Sequence, residues 1–214
     1  MTTTVTVVDY GVGNVLSVQR ALEHCDAKVI LAETPEQIKS ASSLILPGVG
    51  AFANGMNELH SRNLIEPVKE YAASGKPLLG ICLGMQMLVD ESEEFGVTKG
   101  LGLIPGKVVP IPAQTSDGVR HKIPHIGWNE LKYPSSLSMW EGTIFSELKG
   151  RPPVYFVHSF TVIPDSDTNR LADTCYDDSL ISAAIYSDNI YGCQFHPEKS
   201  GLDGLKILQS FLSL

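Results

Sequence analysis

Three residues of this chain have the types and the setting for nucleophilic chemistry: Cys82, His196 and Glu198. Cys82 stands in Gly80-Ile81-Cys82-Leu83-Gly84, with a glycine two residues before it and two after. That is the spacing of a nucleophile elbow, with cysteine in place of serine. The turn from strand to helix is tight, so the flanking positions face backbone and leave room for little beyond hydrogen. A nucleophile on such a corner projects from the carboxyl end of its strand. Its sulfur then lies near a helix amino terminus, where partial positive charge favours thiolate over thiol. The amide of Leu83, first after the nucleophile, points where an oxyanion would form. Taken alone, the pentapeptide also fits a small buried cysteine with no chemical duty.

The far end of the chain shifts that balance. In Gln194-Phe195-His196-Pro197-Glu198, the proline pushes His196 toward extended geometry. Residues two apart in an extended run point to the same side, so Glu198 can reach His196. The carboxylate would fix the imidazole tautomer and stabilise its protonated form. A cysteine at an elbow, a histidine base and an acid that orients it make a nucleophilic triad whose members meet only in the fold. The other histidines carry less. His121 and His125 are four apart, but Pro124 between them disfavours the helix that would align them for a metal. His24 and His60 fall in helical patterns with no partner in view. His158, in Tyr155-Phe156-Val157-His158-Ser159-Phe160, sits on a strand expected to border the site.

The elements that must position these residues read as an alternation. Strands are expected over 5–8, 28–32, 44–46 and 77–81, with helical spacing between them, including a helix over 35–41 capped by Thr34. An amphipathic helix is expected from Leu83 onward. Such alternation implies parallel strands with right-handed crossovers, an α/β fold. Beyond Gly100, strands are expected over 101–111, 154–160, 181–186 and 190–195, and a final helix over 201–214 packs on the sheet. The segment 112–150 is rich in proline, glycine and serine and yields no assignment. Without a linker or repeat, 1–214 reads as a single domain.

Whole-chain properties exclude several classes. The 214 residues are 43% hydrophobic and 19% charged, which fits a globular chain. A net charge of −8 argues against nucleic acid or an anionic membrane as partner. The 4 cysteines form no CxxC pair, so neither a zinc knuckle nor a disulfide framework is implied. With no secretory leader and no apolar run near the roughly 20 residues of a membrane span, a reducing cytoplasm is the expected setting. One rival motif exists. Gly11-Val12-Gly13-Asn14-Val15-Leu16 follows a strand and opens a helix, with Glu33 closing the next strand, as in dinucleotide sites. The third glycine is replaced by Leu16, which should hold the helix off the strand. The loop reads better as a turn on the rim of the active site.

The chain resembles the class I glutamine amidotransferases, and among them the glutaminase subunits of imidazole glycerol phosphate synthases in histidine biosynthesis. The stretches that carry the resemblance run from end to end: Asp9-Tyr10-Gly11-Val12-Gly13-Asn14, Leu46-Pro47-Gly48-Val49-Gly50, Gly80 to Gln86, Gly127-Trp128-Asn129, Tyr155 to Ser159, and Gln194 to Ser200. One departure is Phe160, where the resemblance leads one to expect tyrosine. The resemblance implies a three-layer sandwich with a mainly parallel central sheet. It implies that Cys82 attacks the side-chain amide of L-glutamine, His196 transfers protons and Glu198 orients it. It implies an oxyanion hole from Leu83 with Val49 and Gly50, and glutamine binding by Gln86, His158 and Ser159. No metal or organic cofactor is implied. A (β/α)8-barrel cyclase subunit would take the ammonia within a heterodimer, with Asn14, Trp128, Tyr155 and Lys199 on the docking rim. Similar amidotransferases serve a sugar-modifying synthase of surface polysaccharides. A cysteine peptidase-like hydrolase and a catalytically silent paralogue complete the alternatives.

Overall fold

The computed structural model describes residues 3–120 and 122–214. The first part of the chain lays down β1 (Thr4–Val8), α1 (Val15–His24), β2 (Lys28–Ala32), α2 (Pro35–Lys39) and β3 (Leu44–Leu46). Then come α3 (Phe52–Ser61), α4 (Ile65–Ala73), β4 (Leu78–Ile81) and α5 (Leu83–Met87). A short hairpin of β5 (Glu91–Ser92) and β6 (Thr98–Lys99) leads to β7 (Gly106–Pro110). There follow β8 (His125–Glu130), β9 (Pro153–His158), β10 (Phe160–Pro164), β11 (Arg170–Tyr176), β12 (Ser179–Ser187), β13 (Ile190–Cys193) and α6 (Gly201–Leu212).

The central seven-stranded sheet has the order β11-β12-β13-β4-β3-β1-β2. From β13 to β2 every pairing is parallel, whereas β12 pairs antiparallel with β13 on one side and with the edge strand β11 on the other. The fold is therefore α/β with a mixed central sheet, parallel through its middle. Strands buried on both faces read as continuous apolar runs, as Leu44-Ile45-Leu46 does. One face packs Val5, Val7, Ile45 and Ile81 with Val18 and Leu22 of α1 and Ile207, Leu208 and Phe211 of α6. The other packs Val8, Leu44, Leu46 and Leu78 with Ile38, Leu59 and Val68 of α2, α3 and α4. Three layers result. A β10-β7-β5-β6 sheet and a β8-β9 ribbon complete the molecule.

Several expected boundaries differ. The helix after Cys82 ends at Met87 and is buried on every side, so it cannot be amphipathic. The expected strand over 154–160 is two strands, β9 and β10, which leave Ser159 between them and pair with different neighbours. The run over 101–111 is extended only from Gly106, because Leu101 and Ile104 plug the apolar core from irregular chain. The unassigned 112–150 holds β8. It also gives Trp140, Ile144 and Phe145 to the core from turns. No helix among the described residues is long and apolar enough to cross a membrane.

The topology gathers four loops at one edge. The chain leaves β1, β3, β4 and β13 in the same direction, so the loops beginning at Asp9, Pro47, Cys82 and Gln194 meet beyond their carboxyl ends. That edge is where open α/β sheets bind ligands.

Candidate active site

The elbow owes its shape to contacts that only glycine permits. Cys82 has φ 55 and ψ −109, a left-handed backbone that costs a non-glycine residue strain. Its N–H donates to the Cys193 carbonyl at 2.7 Å, tying the corner to β13. A Cβ on Gly84 would lie 1.8 Å from the Leu46 carbonyl oxygen, and one on Gly80 would lie 2.7 Å from the Gly84 backbone. The sheet and α5 thus close on the nucleophile from both sides.

His196 arrives from β13 in extended geometry, φ −100 and ψ 96, immediately before the 3-10 turn Pro197–Lys199. Its Nδ1 meets Glu198 Oε1 at 2.8 Å, and both side chains are almost fully buried. Its N–H donates to the Tyr155 carbonyl at 2.9 Å, and its carbonyl accepts from the Ser200 hydroxyl at 2.7 Å. With Nδ1 given to Glu198, Nε2 is buried without a hydrogen-bond partner. Burial opposes the imidazolium. The neighbouring Cys82 and Glu198 outweigh it, and raise the His196 pKa to about 9.

Cys82 and His196 line one cavity of about 330 Å³ with Val49, Gly50, Leu83, Gln86, His158 and Ser159. All the residues assigned to catalysis, oxyanion hole and substrate by resemblance meet there or, for Glu198, one bond behind it. The Leu83 amide, expected to face an oxyanion, instead donates to the Gly48 carbonyl at 3.3 Å. Gln86 spends both amide hydrogens inside the protein, one on the Phe160 carbonyl at 3.2 Å and one on Gln194 Oε1 at 3.0 Å. Its Oε1 is thereby left as the group it can offer to a ligand.

Glu94 and Phe95 also line the cavity, and no motif singles them out. Glu94 Oε2 accepts from the Phe52 amide at 2.6 Å, holding the start of α3. Phe95, 91% exposed, meets Phe160 edge to face with ring centroids 6.4 Å apart. Phe95-Gly96 is a turn signal, with positive φ at both residues, but nothing local aims that turn at Cys82.

Around this cavity lie the rim residues. Trp128 is half exposed and faces Tyr155 across the β8-β9 pair, with ring centroids 6.1 Å apart. Lys199 is exposed beside the triad acid, and Asn14 sits at the start of α1 with its side chain making no cap bond. Leu16 is exposed and does not wedge the helix from the strand. Instead Gly13 lies against Gly48, within 3.6 Å of where a Cβ would stand. The glycine-rich loop thus braces the turn after β3. His121 lies outside the described residues. His125 bonds to His158 and Asn129, and among the described residues no cluster of three metal-binding side chains occurs.

Comparison with known proteins agrees with this geometry. The family model "Glutamine amidotransferase class-I" matches residues 6–213. The chain is 57% identical to imidazole glycerol phosphate synthase subunit HisH 1 of Legionella pneumophila (strain Lens), over 98% of this chain and 99% of that one. It is 47% identical to the HisH subunit of Geobacillus sp. (strain WCH70), over 97% and 95%. Its fold matches that of PurLQS from Thermotoga maritima with a TM-score of 0.74 at 22% identity, covering 100% and 99% of the two chains. The crystal structure of another glutamine amidotransferase matches with a TM-score of 0.72 at 16% identity, covering 98% and 99%. The chain belongs to the class I glutamine amidotransferases, in the group of HisH subunits of imidazole glycerol phosphate synthase.

Proposed function

We propose that this chain hydrolyses L-glutamine to glutamate and ammonia at Cys82 and delivers the ammonia to a cyclase subunit of histidine biosynthesis. The observation that carries this reading is the strained elbow of Cys82 in one cavity with the buried His196–Glu198 pair. In this reaction Cys82 attacks as the thiolate, its proton having passed to His196. The sulfur attacks the side-chain amide carbon and the carbonyl becomes an oxyanion. His196 gives its Nε2 proton to the departing nitrogen, which leaves as ammonia. The neutral imidazole then takes a proton from water, and the hydroxide attacks the thioester. Collapse frees glutamate and restores the ion pair.

The cavity suits glutamine in particular. Gln86 Oε1 and the Glu94 carboxylate supply acceptors for an α-ammonium group, and a peptide interior carries no such charge. Phe95 and Phe160 cover the aliphatic stem.

Free ammonia is mostly protonated in neutral water and no longer nucleophilic, so it must pass directly to its consumer. A (β/α)8-barrel cyclase docked over Trp128, Tyr155, Asn14 and Lys199 would receive it. The test is labelling by a glutamine-like diazoketone followed by peptide mass spectrometry. The label is expected on Cys82 and abolished by excess glutamine. Label on other cysteines, or insensitivity to glutamine, would defeat the assignment.

A further inference from the structure

Behind the cavity lies a chain of hydrogen bonds, buried at His125 and His158 and partly buried at Asn129, that the triad does not use. Asn129 Nδ2 meets His125 Nε2 at 2.9 Å, His125 Nδ1 meets His158 Nε2 at 2.9 Å, and His158 Nδ1 meets the Phe160 carbonyl at 2.8 Å. The direction of every proton follows from two fixed ends. A carbonyl can only accept, so His158 Nδ1 donates and its Nε2 accepts. His125 Nδ1 must then donate, and its Nε2 accepts from Asn129. The Asn129 amide is itself oriented, because Nδ2 also donates to the Cys175 carbonyl at 3.2 Å. Both rings are neutral in this arrangement. Burial holds the pKa of His158 down at about 3 and that of His125 at about 4. His125 is clamped between Phe156 and Tyr176, with ring centroids 4.8 and 4.1 Å away.

The chain ends on the carbonyl that also receives the Gln86 amide. We propose that His125 is a positioning residue for the glutaminase reaction. By donating to His158 it holds the ring that fixes the Phe160 carbonyl, and so the orientation in which Gln86 presents Oε1 to the substrate ammonium. Without that donor, His158 Nε2 is a buried acceptor with no partner, and turning the ring to find one abandons Phe160. Gln86 then loses one of the two bonds that aim it. This inference rests on the glutaminase reading.

The test compares glutamine kinetics of the two-subunit complex carrying wild type, His125→Leu and His125→Asn. Leucine fills much of the space without a donor, whereas asparagine places an N–H close to where Nδ1 stands. A ground-state contact is at stake, so His125→Leu is expected to raise KM for glutamine about tenfold with kcat within about twofold, and His125→Asn to recover most of that loss. An unchanged KM in His125→Leu, or an asparagine variant as impaired as the leucine one, would overturn the proposal. Should the leucine variant not fold, nitrogen NMR of the wild-type imidazoles decides, since a proton on His158 Nε2 rather than Nδ1 also overturns it. Wild type measured alongside separates the two readings. A wild-type complex that releases no glutamate sinks the glutaminase reading itself. An active one with KM unmoved in the variant sinks only the role of His125.

Discussion

The backbone amide of Leu83 is bonded to the carbonyl of Gly48 at 3.3 Å, in the place where a tetrahedral intermediate would need that donor. An N–H held by one acceptor is not free to stabilise another. In a trans peptide the carbonyl and the next amide point opposite ways, so the Val49 N–H faces away while the Gly48 oxygen faces in. Turning the Gly48–Val49 peptide would withdraw the acceptor and bring round a second donor. Gly50, with φ +94 and open space beside it, gives that loop a pliable neighbour, and the Tyr10 hydroxyl anchors its other side by donating to the Pro47 carbonyl at 2.8 Å. As the proposed oxyanion donor, the Leu83 amide is therefore already occupied in the resting chain.

Gly84 has the least tolerance in the elbow. Alanine there would put Cβ 1.8 Å from the Leu46 carbonyl oxygen, a backbone atom with no rotamer to escape into. Gly84→Ala is expected to destabilise by at least the roughly 1–3 kcal/mol of ordinary overpacking. Chemical denaturation checks this, and an unchanged midpoint would mean the elbow is looser than described.

The pH dependence should show His196. In the proposed mechanism the ring carries a proton to release ammonia, and against the cost of burial Cys82 and Glu198 raise its pKa to about 9. Turnover is expected to fall as pH rises through that value. In Glu198→Gln one of the groups holding the proton loses its charge, so the alkaline limb should move to lower pH. A pH–rate profile identical to wild type would show that Glu198 does not hold the ring.

Phe95 should act on substrate and not on stability. It is 91% exposed, so its truncation is expected to change the unfolding midpoint little. It meets Phe160 over the cavity, so Phe95→Ala is expected to raise KM for glutamine severalfold while leaving kcat near wild type. Steady-state kinetics decides, and loss of kcat with KM unmoved would contradict a covering role.

Lys199 is the rim charge next to the triad acid. Lys199→Ala is expected to weaken binding of the cyclase partner by a few fold, mainly through the association rate and more strongly at low salt. Surface-immobilised binding at two ionic strengths checks it, and an unchanged rate would remove Lys199 from the docking surface.

What the sequence reveals of this site is what is local. The elbow is legible because two glycines and a cysteine must share one turn, and His-Pro-Glu because a proline fixes the geometry that joins its neighbours. Glu94 and Phe95 are not legible, since a hairpin formed elsewhere swings them over Cys82. The strand β8 hides in a half-exposed ribbon with Gly127 at φ +144. Trp140, Ile144 and Phe145 enter the core from turns, where no period marks them. The length of α5 misleads because burial on all sides leaves no polar face to count. The Leu83–Gly48 bond is a peptide orientation, and no spacing of side chains encodes that.

The proposed glutaminase site, with its oxyanion donor occupied until the cyclase partner turns the Gly48–Val49 peptide, is tested most directly by glutamate release from glutamine. Release is measured for the chain alone, for the chain with the cyclase partner plus its ligand, and for the full mixture with Cys82→Ser. One oxyanion donor is worth about 10²–10³ in rate. Stimulation of at least that order is expected in the full mixture, and its loss with the serine variant. Equal release by the isolated chain and the full mixture, or release that survives Cys82→Ser, would contradict the occupied oxyanion donor or the role of Cys82.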